Sequence, residues 1–186
     1  SVQNGTATGP VTGSGDASDN VGGLVGSSDG TINGSTAAGP VTSTGDGVGG
    51  LVGENNESAD VEKSEANGAV TGGNQTGGLL GLNNGSVTDS SANGQVNATG
   101  DEIGGLVGSS SGTVENGSAT GDVNGSERVG GLVGWSNDTV ANSSASGTVS
   151  GDEDRVGGLI GAVAGNGSVV DSKANGSVTG GNQSGG

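Results

Sequence analysis

The residues of this chain that could do chemistry are of very few kinds. Its 186 residues include no His, Cys or Tyr. Imidazole- and thiol-based nucleophile–base pairs are thereby excluded, and so are disulfides and thiolate metal sites. Carboxylates are left: Asp and Glu total 20, against 4 Lys and Arg (Lys63, Arg128, Arg155, Lys173). Two facing carboxylates can hydrolyse a glycosidic bond. Here the acids fall in turn-like stretches and change from one repeat to the next. Trp135, the one aromatic residue, is alone in offering a sugar a stacking surface. The chain does not read as an enzyme.

The same carboxylates are the metal candidates. Calcium takes about six to eight oxygen ligands, and acids gathered in a turn supply part of such a shell. The candidates are Asp16 with Asp19, Asp101 with Glu102, and the run Asp152, Glu153, Asp154. These clusters do not recur in every repeat, and the glycine–aspartate nonapeptide of calcium-binding β-helices is absent. No firm metal site is read from the sequence, and calcium is the one cofactor it admits. Glycine-rich phrases can cradle phosphate at a helix N-terminus, but no helical periodicity follows them here.

Asparagine offers a different chemistry. The triplet Asn-x-Ser/Thr, the acceptor of N-linked glycans, begins at Asn4, Asn33, Asn56, Asn74, Asn84, Asn97, Asn116, Asn124, Asn137, Asn142, Asn166, Asn175 and Asn182. A chain rich in Asn, Ser and Thr generates such triplets by chance. In an exported protein each still marks a candidate surface Asn for glycosylation.

The net charge is −16. With no basic patch to neutralise phosphates, nucleic acid is excluded as a partner, and so are anionic membrane surfaces. No apolar run approaches the roughly 18–20 residues of a membrane span. Dense acid with few lysines resembles the proteins of salt-loving microbes, in which salt screens self-repulsion. High charge with low hydrophobicity also accompanies disorder, so what positions these residues depends on whether the apolar ones are patterned.

They are. The phrase VGGLVG stands at 21–26, 48–53 and 129–134, with TGGLLG at 76–81, IGGLVG at 103–108 and VGGLIG at 156–161. Its leucines, Leu24, Leu51, Leu79, Leu106, Leu132 and Leu159, are 27, 28, 27, 26 and 27 residues apart. A second block lies between the phrases, as in VENGSATGDV at 114–123 and VANSSASGTV at 140–149. Its alternate positions carry Ser or Gly, then Ala, Gly and Val, with polar residues between. Period two predicts a strand with one face inward, and the small inward residues suit a close approach of another backbone.

Each repeat thus predicts one long strand, a turn, the short GGLVG strand and another turn. Asn-Gly pairs such as Asn84-Gly85, Asn116-Gly117 and Asn166-Gly167 would supply the positive φ that tight turns need. A unit of this size cannot bury its apolar face alone, and stacking copies in parallel register solves that. The expected fold is all-β: a parallel β-helix, or β-solenoid, of about seven coils with one repeat per coil. The repeats are 1–31, 32–60, 61–86, 87–113, 114–139, 140–168 and 169–186, the last incomplete. Right-handed coiling is the prior for parallel crossovers. The expected core is the leucine column with Val21, Val48, Ile103, Val129 and Val156. Adjacent Leu132 and Val133 would point to opposite faces of one extended strand. The flanking glycines favour a bend that turns both inward, over an outer Val/Leu/Ile stripe serving as a lateral contact. Outward threonines (Thr6, Thr36, Thr120, Thr148) look scattered and form no ladder, which speaks against an ice-binding face. Trp135 is expected at a turn.

Six copies of Gly-Leu-Val/Leu/Ile-Gly at near-constant spacing resemble the GLUG motif of bacterial and archaeal surface proteins, with the Ser-x-Ala-x-Gly-x-Val block resembling what precedes that motif. The resemblance covers nearly the whole chain. It implies a secreted or surface-anchored repeat region, an adhesin-like stalk or the non-catalytic part of a large secreted protease, without catalytic residues. The expected function is therefore a structural repeat region of an extracellular adhesin, stalk or filament, salt-adapted and N-glycosylated. Both ends fall inside repeats, so continuation into a longer surface protein, or self-association into a filament, is expected. The alternative is a binding module whose acidic variable loops hold calcium or carbohydrate.

Overall fold

The computed structural model describes residues 1–14 and 20–186. Among these, the chain is built of strands and turns with no helix. It winds as a parallel β-solenoid of seven coils in five sheets; each of the first six coils adds one strand to every sheet, and the seventh adds one to the first four. In the fifth coil the strands are Thr113–Glu115, Ser118–Ala119, Val123–Gly125, Val129–Gly130 and Val133–Ser136, in the first to fifth sheets in that order. Every strand pair is parallel and joins equivalent positions. Val61 pairs with Val87, Ala66 with Ala92, Val70 with Val96, Thr76 with Ile103 and Leu80 with Val107.

Two strands per repeat were expected and five are formed. The alternating part of the block, 117–123 in the fifth coil, holds strands of two different sheets, separated by a bend at glycine. There the backbones of successive coils touch: a Cβ at Gly68 would collide with the Gly39 carbonyl oxygen, at Gly94 with that of Gly68, and at Gly121 with that of Gly94. The alternation of burial nevertheless persists through the bend, from buried Gly117 to buried Val123. The inward face is as small as the sequence suggests, for the reason it suggests.

The GGLVG phrase is also two strands with a corner between them. The N–H groups of Leu106 and Val107 both donate to the Leu132 carbonyl, at 2.8 and 3.0 Å, and those of Leu132 and Val133 both donate to Leu159, at 2.8 and 3.1 Å. Successive N–H groups of an extended strand point to opposite neighbours, so a shared acceptor requires the chain to turn. The turn sends both side chains inward: Leu106, Val107, Leu132 and Val133 are each 0% exposed. No outer stripe forms from these residues. The corner needs glycine twice over. A Cβ at Gly104 would strike the Val107 carbonyl three residues on, and one at Gly105 the Gly131 carbonyl of the next coil.

The expected core residues Leu51, Leu79, Leu106, Leu132, Val48, Ile103, Val129 and Val156 are buried, and Leu24, Leu159 and Val21 are half-buried in the outer coils. In the third coil Thr76 replaces the phrase's Val; it is buried and donates its hydroxyl to the Gly73 carbonyl at 3.0 Å. Positive φ is found at one corner of every coil, between the first and second sheets, at Asn4, Gly34, Lys63, Asp89, Asn116, Asn142 and Asp171. Of the three Asn-Gly pairs expected to supply it, the pair at 116–117 does so, through Asn116 rather than its glycine.

A buried serine follows this corner in most coils. Ser35, Ser64, Ser90 and Ser143 each donate to the carbonyl two residues back, and each accepts an N–H from the preceding coil, Ser64 from Ser35 and Ser90 from Ser64 at 3.1 Å. At the end of the fifth strand a second polar column runs inside the rod. Ser28, Ser110 and Ser136 donate to the carbonyl two residues on. Asn55, followed by a longer loop, reaches the Ala59 carbonyl at 3.1 Å and the Asn83 amide oxygen at 2.9 Å. Each such bond satisfies a group that would otherwise be costly to bury.

Candidate functional site

The buried polar side chains of the described residues are Ser, Thr and Asn alone; acids and bases stay outside. They concentrate at the corner between the third and fourth sheets. Asp46, Asn74, Asp101, Glu127 and Asp154 stack there beside Gly47, Gln75, Glu102, Arg128 and Arg155, and all five of the latter have positive φ. The Asp46 carboxylate accepts the Asn74 backbone N–H at 3.0 Å, and the Asn74 amide oxygen accepts that of Asp101 at 2.9 Å. Arg128 pairs with Glu102 at 2.7 Å and Asp101 at 3.3 Å, and Arg155 pairs with Glu127. Two of the chain's four cations are thus spent neutralising one corner. These pairs are partly exposed, and each contributes about 1 kcal/mol or less.

The calcium candidates do not come together. Asp152 and Glu153 are exposed, and Asp154 accepts the Asn182 N–H at 2.8 Å. With Glu127, Arg155 and Gln183, Glu153 and Asp154 line an open cleft. Among the described residues no three acidic side chains gather so as to hold a metal. Asp101 and Glu102 are taken by Arg128, while Asp16 and Asp19 lie outside the described residues.

The glycan acceptors all reach the surface. Asn4, Asn74, Asn116, Asn137, Asn142, Asn166, Asn175 and Asn182 are exposed; Asn33, Asn56, Asn84, Asn97 and Asn124 are half-buried. Several amides are tied to the neighbouring coil: Asn33 to Glu62 at 2.7 Å, Asn56 to Asp29 at 2.7 Å, Asn116 to Asp89 at 2.9 Å and Asn124 to Asn97 at 2.9 Å. Among the described residues no such bond holds the side-chain amide of the exposed Asn4, Asn137, Asn142, Asn166, Asn175 or Asn182. The triplets occupy several corners, so they surround the rod rather than mark one face.

Trp135 lies in a strand of the fifth sheet, not at a turn. It is half-buried on the outer face and pairs with Ser109 and Ala162. Ser109, one rung away on the same outer face, is only 7% exposed. The outer face of the third sheet departs from the expectation of scattered threonines. Thr12, Thr42 and Thr71 stand in register and continue through Asn97, Asn124, Ser150 and Thr179, so an outward hydroxyl–amide ladder does form. Its signal in the sequence is the polar residue that follows each block's last Val, one position beyond the alternating pattern of the block itself.

A family model described as the GLUG motif matches residues 125–150 and 154–179. The first match begins at the end of a third-sheet strand and the second in the loop after one; both run through the phrase and on to the block of the following coil, so the block follows the phrase within the match rather than preceding it. The other phrases occupy structurally equivalent positions in register with the matched ones. No curated protein and no solved structure matches the chain.

Proposed function

We propose that this GLUG-repeat solenoid is a non-catalytic structural segment of an extracellular adhesin, stalk or filament. The observation that carries the reading is the repetition of the coil-to-coil contact. Each of the first five coils meets the next through five parallel ladders and a stacked apolar core, and the sixth meets the seventh through four. Tension along the rod is shared by all the ladders of an interface. The outer surface, acidic and studded with acceptor asparagines, supports a rod that stays soluble in an exposed, salty setting.

Peptide mass spectrometry on the protein from its source, together with surface proteolysis of intact cells, tests this reading. Export predicts that whole cells lose the chain to added protease and that glycan mass is found first on Asn4, Asn137, Asn142, Asn166, Asn175 and Asn182, which are exposed and whose amides no side-chain bond holds among the described residues. A chain that is protected in intact cells and bare at every acceptor overturns the extracellular part. Calcium titration followed by melting tests the binding-module alternative, which requires a saturable rise in melting temperature at micromolar to millimolar calcium.

A further inference from the structure

Charge is distributed very unevenly around the rod. The block of each coil presents four outward positions, such as Thr36, Ala38, Pro40 and Thr42 in the second coil. Over seven coils this makes 28 positions, none of them buried. Twenty are Thr, Ser or Asn, and the charged ones are Glu65, Asp122 and Lys173. This strip, the outer side of the second and third sheets, carries a net −1 while the whole chain carries −16.

We propose that this strip is a lateral contact surface for a second copy of the chain. The proposal rests on the structural-rod reading above and names the face through which such rods associate. Three properties favour a second copy as the occupant. Two rods of the same strong charge repel across about a Debye length, some 8 Å at physiological salt, and the strip lets them approach with little like charge over a long, wide face. Thr and Ser hydroxyls and Asn amides both donate and accept, so a surface made of them is complementary to itself, which a carboxylate surface is not. A second copy also repeats at the same inter-strand spacing of about 4.8 Å, so contacts made at one coil recur at each. At that spacing the strip is about 30 Å long and about 20 Å wide, which gives roughly 600 Å² per copy. That is the size of a weak, reversible interface.

Sedimentation velocity over a rising concentration series, at low and high salt, tests the proposal. The chain should dimerise reversibly, more strongly at high salt, because screening removes the residual repulsion. The triple substitution Thr42→Asp, Thr71→Asp and Asn97→Asp should weaken dimerisation at least tenfold, while Asn74→Asp, at the already charged corner, should leave it unchanged. Circular dichroism melts establish that each variant folds. Should the triple variant not fold, Thr120→Cys serves instead: in a chain without cysteine, an intermolecular disulfide should form faster from position 120 than from a control Asn74→Cys. A chain that stays monomeric at millimolar concentration in both salts overturns the proposal. So does dimerisation that survives the triple substitution but is lost in Trp135→Ala, which would move the contact to the fifth sheet. Neither outcome alters cell-surface accessibility or glycan occupancy, so this proposal and the rod reading fail separately.

Discussion

The corner between the fourth and fifth sheets and the loop between the third and fourth lie one short strand apart, yet they obey different rules. The first is GGL in six consecutive coils, and the second changes in length and composition from coil to coil. The difference is what each corner touches. At the first, glycine Cα atoms lie against carbonyl oxygens of the same and the next coil, and a Cβ would collide with backbone that cannot swing away. At the second, side chains face solvent, and what stacks there is a column of carboxylates, amides and guanidinium groups joined by hydrogen bonds and ion pairs. Backbone contact fixes residue type; solvent contact leaves room for insertion and tolerates any polar pattern that balances its charge.

Substitutions at the two corners should separate by size of effect. Gly105→Val places a branched side chain on the Gly131 carbonyl and should cost about 3 kcal/mol or more, enough to lower the midpoint of a urea melt sharply or prevent folding. Leu106→Ala, in the same corner, opens a cavity in the leucine column and should cost about 3 kcal/mol in the same assay. If either behaved like a surface change, the packed-corner account would fail. Between the extremes, Ser64→Ala leaves the Ser35 N–H without its acceptor and should cost about 1–2 kcal/mol. At the solvent corner, Arg128→Ala should cost about 1 kcal/mol or less, with the difference shrinking as salt is added. A loss at Arg128 as large as that at Gly105 would mean that the ion pairs, rather than the stacked backbone, hold the coil interface.

Most of the architecture is legible in the amino-acid sequence. The 27-residue step of the leucines and the period-two block specify stacked parallel coils, because a short amphipathic unit has no other way to bury its face. The inward turn of both Leu132 and Val133 is readable from the flanking glycines. The division of each coil into five strands is not. Alternation of inward and outward residues continues through the bend at Gly121, so period two alone cannot tell a straight strand from one that changes sheets. The polar columns inside the rod are also hidden. Ser64 and Asn55 look like ordinary turn residues, and their burial depends on hydrogen bonds to a coil more than 25 residues away. The acidic candidates illustrate the converse. Asp101 and Glu102 are neighbours in sequence with the composition of a cation site, but Arg128, one coil later, already occupies them.

The shared leucine carbonyl gives the rod a direction in time as well as in space. At each of the first five phrases, two N–H groups of one coil donate to a carbonyl of the coil that follows it in the chain. During synthesis from the N-terminus, a newly emerged coil carries these donors before their acceptor has been made. Until the next repeat has left the ribosome, those two donors have only water to bond to. Each of these coils therefore has this pair of bonds completed by its successor, and among the described residues the last phrase is left without them.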